Sequence, residues 1–296
     1  MILSVDDWSR RAVPLTMKTC GDKKSTATGF FWRSGDDVYL ITNWHVLSGR
    51  DTKFFQPLDQ KNSTIPDELC YPRYVYNSHP LNIKFYSVEI NASTKLESNW
   101  LEHPEWGSSV DIGALKIATC SMPIDQDGIT TEILEAGKCR SLLLDKMFGN
   151  LKYYGPRKEM GDDLFVIGFP LGTQQTRHLP IWKRASVASE MDFQLGGKSA
   201  FLIDTAGRPG MSGAPVVFIE QSAATQMGMI RRRPTTFMGI YSGRHIGETD
   251  FEAQLGIVWR EELINEVVLG GKRALYQFTD LDQESSARKC VGAKQP

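Results

Sequence analysis

The chain has 296 residues, of which 41% are hydrophobic, 23% charged and 10% aromatic. This composition is typical of globular proteins and excludes a disordered or collagen-like chain, and the length allows one large domain or two lobes. Lysine and arginine number 34 against 35 aspartates and glutamates, a formal net charge of −1, so the chain lacks the overall positive charge of a typical nucleic-acid-binding protein.

The start of the chain and its cysteines predict a cytoplasmic protein. Asp6 and Asp7 stand where a signal peptide has its basic and apolar segments. No apolar run reaches the length of a membrane span, so no membrane binding is expected. The five cysteines are scattered singly, at Cys20, Cys70, Cys120, Cys139 and Cys290. Their odd number and wide spacing predict mostly buried thiols rather than a disulfide framework or a zinc site.

Short apolar runs between proline, glycine and asparagine residues predict a series of β-strands. The first two form a hairpin, 30–32 and 38–42, around a turn at 34–37. Residues 51–110 are rich in proline, asparagine and serine and predict long loops around one or two strands. Further strands are predicted at 83–90, 112–117, 164–169, 181–187, 201–205, 215–219, 237–241 and 255–259. The pattern indicates an all-β barrel or sandwich.

Helices are predicted at two places only. Residues 261–269 have helical spacing and are followed by Gly270 and Gly271, which end helices readily. Residues 130–137 are a second possibility. The tail from residue 280 is polar, and its end is expected to be loose.

Three segments combine residue types that serve nucleophilic catalysis. Residues 42–46 (TNWHV) place His45 on a short turn after a strand, and residues 110–113 (VDIG) place Asp111 before one. Residues 210–213 (GMSG) place Ser212 in a glycine-rich turn that leads into an apolar strand. Each segment alone has an ordinary structural interpretation: a half-buried histidine, a turn cap or a loop. Together, in this order, they favour a Ser–His–Asp triad.

The chemistry explains why these residue types belong together. A serine hydroxyl is a weak nucleophile and needs a base, for which the imidazole of His45 has a suitable pKa. A buried carboxylate, Asp111, would hold that imidazole in the right tautomer. The oxyanion that forms on the attacked carbonyl needs N–H donors, and the backbone N–H groups of Gly210 and Ser212 are the candidates.

These segments resemble the motifs of the chymotrypsin-fold (trypsin-like) serine proteases, especially the bacterial trypsin-like peptidases. The resemblance covers about residues 25–265 and includes three further segments, 166–170 (VIGFP), 239–243 (GIYSG) and 255–258 (LGIV). It implies an all-β fold of two six-stranded antiparallel β-barrels, a chymotrypsin-like double barrel with a C-terminal helix. The triad would lie in the cleft between the barrels.

The resemblance also implies a division of the chain. The predicted parts are an N-terminal segment (1–24), a first β-barrel with His45 and Asp111 (25–135), an inter-barrel connection (136–160), a second β-barrel with Ser212 (161–260), and a C-terminal helix with a polar tail (261–296).

A substrate-binding pocket follows from the same resemblance. It would consist of Ala206 at the floor, Gly256 at the far wall, and Ser242, Gly243 and Arg244 on the strand that pairs with substrate. Because Ala206 has no charge, a preference for Lys or Arg at the cleaved position is not expected, unless Asp250 or Glu252 reaches the pocket. Arg244 and Arg208 on the rim predict a preference for acidic side chains.

Activation is expected to differ from that of digestive proteases. Those members carry an acid directly before the nucleophilic serine, where it pairs with a freed N-terminus, but here the position is Met211. Activation by N-terminal clipping is therefore not expected. Control by a regulatory protein partner is predicted instead.

The leading hypothesis is a serine endopeptidase acting on protein or peptide substrates, without cofactor or metal. An α/β-hydrolase esterase is excluded, because that fold needs the order Ser, Asp, His and a helix after the serine. A protease-fold binding or scaffold module, latent or non-catalytic, remains the alternative. The arginine triplet at 231–233 is interpreted as a solvated loop, so no nucleic acid is expected as a partner.

Overall fold

The structure, a computed structural model, describes residues 6–59, 65–75, 82–91, 97–119, 134–135, 159–172, 179–219, 235–244 and 255–275. In these ranges the helices are α1 (Asp7–Arg11), α2 (Trp44–Ser48) and α3 (Glu261–Gly270). The strands are β1 (Ala12–Thr19), β2 (Asp22–Ser34), β3 (Asp37–Thr42), β4 (Glu68–Val75), β5 (Asn82–Glu89), β6 (Glu97–Glu102), β7 (Gly113–Thr119), β8 (Leu134–Glu135), β9 (Asp163–Gly168), β10 (Ile181–Val187), β11 (Ala200–Asp204), β12 (Pro215–Ile219), β13 (Thr235–Arg244), β14 (Leu255–Trp259) and β15 (Lys272–Leu275).

The strands form two sheets, one in each lobe. The first lobe is a curled half-barrel with the strand order β15-β6-β7-β3-β2-β1-β4-β5, and β8 lies parallel to β2. The second lobe is a closed antiparallel barrel of six strands, in the order β10-β11-β14-β13-β12-β9. The predicted all-β, chymotrypsin-like fold with a C-terminal helix is confirmed, except that the first lobe is a curled sheet of nine described strands and not a closed barrel of six.

Most predicted strands agree with the structure to within two residues at their ends. The sequence did not indicate β1, β4 or β6, and two of these contain a proline, Pro14 in β1 and Pro72 in β4. Proline removes a hydrogen-bond donor and argues against a strand, yet both residues are accommodated in this sheet. The third, β6 (ESNWLE), is too polar to show an apolar run.

Two local predictions are wrong. The helix expected at 130–137 is contradicted at residues 134–135, which form β8 beside β2, and its other residues lie outside the described ones. His45 lies on the short helix α2 rather than on a turn. That helix ends at Gly49, whose left-handed conformation (φ 68°) favours glycine.

An aromatic cluster joins the two lobes. Phe30 and Trp32 of β2 face Phe237 of β13, with ring centroids 5.6 and 5.8 Å apart. Trp8 of α1 stacks on the same Phe237 at 6.1 Å and is only 6% exposed. The hydrophobic core is therefore continuous between the half-barrel and the barrel.

The C-terminal helix returns the chain to the first lobe. Its buried face consists of Leu263, Ile264, Val267 and Val268, and it packs against strands of both lobes. After Gly271 the chain forms β15, which pairs with β6 at the end of the first sheet. The helix ends as the sequence indicated, but the strand that follows it was not foreseen.

Both described cysteines are only partly buried, contrary to the expectation of buried thiols. Cys20, at the turn between β1 and β2, is disulfide-bonded, and its partner lies outside the described residues. Cys70 on β4 is a free thiol.

Candidate active site

His45 and Asp111 meet because β3 and β7 pair in antiparallel register. Thr42, the last residue of β3, lies opposite Gly113, the first residue of β7. The residues after β3 and the residues before β7 are therefore neighbours, although His45 and Asp111 are 66 positions apart in sequence. The structure brings these two predicted residues together.

The carboxylate of Asp111 fixes the orientation of His45. Its Oδ1 accepts the main-chain N–H of His45 at 2.9 Å, and its Oδ2 lies 2.7 Å from the ring Nδ1. Asn43 adds a third contact, because its side-chain Nδ2 donates to the main-chain oxygen of Asp111 at 2.8 Å. A carboxylate oxygen accepts hydrogen bonds, so in the neutral form of the ring Nδ1 is the donor to Asp111 and Nε2 keeps its lone pair.

Two opposing effects act on the pKa of His45. Burial of the ring lowers the pKa, whereas the charge of Asp111 and its hydrogen bond raise it by more. The pKa of His45 therefore lies above the ordinary value for imidazole. Because its side chain is 21% exposed, against 7% for Asp111, the pair has one solvent-facing side, on the histidine.

The segment Ser242-Gly243 on β13 contacts both halves of the candidate triad. Ser242 Oγ donates a hydrogen bond to Asp111 Oδ2. At the next residue, a side chain on Gly243 would place its Cβ 3.7 Å from Ser212 Oγ. The sequence assigned Ser242 to substrate binding, but its hydroxyl is directed to the buried carboxylate.

Ser212 lies in the turn before β12, as the sequence indicated. Gly213 N–H donates to Tyr241 O at 2.9 Å, and Tyr241 N–H donates to Ala214 O at 2.9 Å, so this turn is tied to β13. In the part of the chain that the structure describes, no hydrogen bond joins Ser212 Oγ to His45.

Some main-chain N–H groups of this turn donate hydrogen bonds within the described structure, and others do not. Those of Met211, Gly213 and Ala214 donate to main-chain oxygens. Those of Gly210 and Ser212 donate to no described residue. The two unused donors are the pair that the sequence indicated as candidates for holding an oxyanion. Gly210 has φ +93°, a conformation that side chains rarely adopt, and a Cβ there would lie 2.3 Å from Phe169 O.

The candidate pocket residues lie on three neighbouring segments of the second lobe. Ala206 follows β11, Gly243 and Arg244 end β13, and Arg244 pairs with Gly256 of β14. The ring of Tyr241 packs directly on Gly256, where an added Cβ would lie 2.3 Å from its Cε2. The side chain of Arg244, as well as Asp250 and Glu252, lies outside what the structure describes.

Two buried threonines near the boundary between the lobes were not identified from the sequence. Thr28 of β2 and Thr42 of β3 are both 0% exposed, and Thr42 Oγ1 donates to Thr28 O at 2.8 Å. Thr28 in turn contacts the turn that carries Ser212. The signal was present, because a threonine that stands among apolar residues on a buried strand needs a partner.

Two other kinds of site have no support in the described ranges. Among the residues that the structure describes, no group of three or more His, Cys, Asp or Glu side chains is placed to hold a metal ion. No described helix combines the length and the apolarity that crossing a membrane requires.

The fold and the sequence together define the class. The family model of the trypsin-like peptidase domain matches residues 27–222, two thirds of the chain and a range that includes His45, Asp111 and Ser212. The chain belongs to this family, and its fold is that of the chymotrypsin-like proteases.

Several proteases are similar to the chain among solved structures. The Rv3671c protease of M. tuberculosis, in its active form, has 14% identity and a TM-score of 0.43, over 91% of this chain and 85% of that one. The serine endoprotease of Yersinia pestis has 13% identity and a TM-score of 0.44, over 90% and 66%. The thermostable serine protease AL20, from an extremophilic microorganism, has 11% identity and a TM-score of 0.45, over 88% and 97%. No curated protein sequence matches the chain.

Proposed function

We propose that the protein is a serine endopeptidase in which Ser212, His45 and Asp111 form the catalytic triad. One observation carries the proposal: the buried carboxylate of Asp111 contacts Nδ1 of His45, which leaves Nε2 as the ring nitrogen that can act as a base, beside the strand segment that also borders Ser212 Oγ. Membership of the trypsin-like peptidase family supports the same reaction class.

The proposed reaction proceeds through an acyl-enzyme. Ser212 Oγ attacks the carbonyl carbon of the peptide bond while His45 Nε2 takes its proton. The oxyanion accepts hydrogen bonds from the N–H groups of Gly210 and Ser212. His45 then gives its proton to the leaving amine, and the C–N bond breaks. A water molecule then attacks the acyl carbonyl carbon while His45 takes its proton, and His45 returns that proton to Ser212 Oγ as the C–O bond breaks and the acid product leaves.

The substrate proposal is a protein or peptide without a basic side chain at the cleaved position. Ala206 at the proposed pocket floor has no charge, and the ring of Tyr241 occupies the space against Gly256. Ser242 acts in this proposal on Asp111, and Gly243, Arg244 and Gly256 border the substrate. The cytoplasmic location and control by a partner protein stay predictions from the sequence.

A second candidate is a latent or non-catalytic protease-fold module. One observation favours it: no hydrogen bond joins Ser212 Oγ to His45 in the described structure. Catalytic hydrogen bonds of free enzymes are often long and tighten only when substrate binds, so this observation does not remove the endopeptidase proposal.

Digestion of reduced casein distinguishes the two candidates, with the new peptide ends identified by mass spectrometry. The endopeptidase proposal expects cleavage by the wild type, and none by Ser212→Ala or His45→Ala. Ser189→Ala serves as the matched control, since Ser189 follows β10 and its Oγ accepts a hydrogen bond from Leu202 N, with no described contact to the candidate triad. Intact casein with the wild type would favour the latent or non-catalytic candidate, and equal cleavage by Ser212→Ala would overturn the assignment of Ser212.

A further inference from the structure

Thr28, in the first lobe, contacts the turn of Ser212 in the second lobe through two of its atoms. Its main-chain N–H donates to Ser212 O at 2.9 Å. Its hydroxyl Oγ1 donates to Gly210 O at 2.7 Å and accepts the N–H of Phe169 at 3.1 Å. Because Thr28 is 0% exposed, water does not compete for these contacts.

The carbonyl groups of the turn decide where its N–H groups point. In a planar trans peptide, the C=O of one residue and the N–H of the next point in opposite directions. Pro209 O is held by Leu171 N at 2.6 Å, and Met211 O by Ala214 N at 3.0 Å. These two contacts set the directions of the Gly210 and Ser212 N–H groups.

The peptide between those two, Gly210–Met211, is the one that the Thr28 hydroxyl holds. Its other contact is the 3.2 Å hydrogen bond from Met211 N to Arg208 O, within the turn itself. Without the hydroxyl, this peptide would be fixed only by the turn's own geometry. The relative direction of the N–H groups on either side of it would then be free to change.

Two glycines allow the backbone to approach Thr28 closely. A Cβ on Gly168 would lie 2.7 Å from Thr28 Oγ1, so the strand β9 approaches the hydroxyl as closely as its glycine permits. On the opposite side, a Cβ on Gly213 would lie 2.0 Å from Thr28 O and 2.4 Å from Thr42 Oγ1. Thr28 is thus enclosed between β9 and the turn.

We propose that Thr28 is a positioning residue for the oxyanion donors: its hydroxyl locks the Gly210–Met211 peptide and keeps the N–H groups of Gly210 and Ser212 directed at one point. This inference rests on the proposed function. It makes formation of the reactive turn depend on contact between the two lobes, because β2 and the turn belong to different lobes.

The test compares rates of covalent labelling by a fluorophosphonate, measured by intact mass over a range of pH. Thr28→Val and Thr28→Ala remove the hydroxyl, and Thr28→Ser keeps it. Loss of one oxyanion donor lowers enzyme rates by about 100- to 1,000-fold. A donor that is present but less well directed should lower the rate by less than the loss of a donor does. We therefore expect Thr28→Val and Thr28→Ala to label at least about tenfold more slowly than the wild type. Thr28→Ser should label like the wild type.

Thr19→Val is the matched control. Thr19 is also buried in the first lobe, and its Oγ1 donates to a main-chain oxygen, that of Ile65, at 2.9 Å. This variant loses an equivalent hydrogen bond far from Ser212 and should label at the wild-type rate. Thermal unfolding of every variant fixes the temperature at which all are folded.

The outcomes separate the inference from the proposed function. A wild type that is not labelled at Ser212 would overturn the proposed function and this inference with it. If the wild type is labelled at Ser212, and Thr28→Val and Thr28→Ala are labelled as fast as the wild type, the inference alone would be overturned. The midpoint of the pH profile should not move in the Thr28 variants; a shifted midpoint would mean that Thr28 acts through His45 and would also overturn it.

Discussion

His45 is held by a partner that also changes its chemistry. Desolvation favours the neutral ring, but the buried charge of Asp111 favours the imidazolium and prevails. The base is thus oriented by the same carboxylate that raises its pKa. Because the raised pKa is a property of the folded state, its contribution to stability is complete below about pH 6.5 and is lost as the pH rises through the folded-state pKa.

The pH profile of labelling should therefore show the influence of Asp111. We expect the rate of fluorophosphonate labelling to rise with pH, with a midpoint above the ordinary imidazole value of about 6.5. Asp111→Asn removes the charge, so its midpoint should fall below that of the wild type, and its rate should drop by about 10⁴-fold. Asp163→Asn, which alters an exposed ion pair with Arg184, should change neither. An unchanged midpoint in Asp111→Asn would contradict this explanation.

Some site residues could be predicted from the sequence and others could not. His45, Asp111 and Ser212 stand next to strand ends, within short patterns of characteristic residues. The contacts of Thr28 and Ser242 depend on the packing of β2 and β13 against distant segments. A linear pattern holds no record of such contacts, and the sequence showed only that a polar residue stood in an apolar run.

Among the elements, the short helix α2 carries His45, and the residue that ends it adopts the left-handed conformation. Gly49 at its end has φ +68°, and a Cβ there would lie 2.5 Å from Cδ of Pro66. Gly35, in the turn between β2 and β3, has φ +59°, but a Cβ there would meet nothing within 4 Å. The two glycines share a conformation and differ in their surroundings.

Alanine at these glycines should separate strain from crowding. Gly35→Ala should cost about 1–2 kcal/mol of unfolding free energy, the usual penalty of the left-handed conformation. Gly49→Ala should cost more than Gly35→Ala, since it adds a contact with a proline ring on a neighbouring segment. Urea unfolding measures both. Equal losses of unfolding free energy in the two variants would show that the contact with Pro66 adds no penalty.

Strand prediction succeeded or failed for identifiable reasons. Apolar runs such as β12 (PVVFI) and β14 (LGIVW) were located correctly because both lie in the closed barrel and face its core. β1 and β4 contain proline, and β15 has four residues, so their strand character comes from pairing within the sheet. Propensity alone cannot show such pairing.

For the molecule as a whole, the lobes are joined by aromatic packing and by hydrogen bonds. Trp8, close to the start of the described chain, packs on Phe237 of the second lobe, and Ser9 Oγ accepts a hydrogen bond from Trp182 at 2.8 Å. Residues 8 and 9 of the first described segment therefore contact the second lobe. The sequence placed this segment outside the first barrel, but β1 pairs with β2 from Ala12 onward.

Removal of Trp8 should destabilise the molecule. We expect Trp8→Ala to lower the free energy of unfolding by about 3–5 kcal/mol, as for other buried aromatic residues. Trp8→Phe, which retains a ring against Phe237, should lose less. Phe193→Ala removes a side chain that is 72% exposed and should change stability by less than about 0.5 kcal/mol. An unfolding midpoint for Trp8→Ala equal to that of the wild type would refute the role given to this contact.

The most direct test of the proposed triad is the intact mass of the protein after reaction with a fluorophosphonate. We expect a single adduct on the wild type, located on Ser212, and no adduct on Ser212→Ala. Ser189→Ala, which changes a serine outside the site, should react like the wild type. An unmodified wild type, or an adduct that persists in Ser212→Ala, would contradict the assignment of Ser212 as the nucleophile.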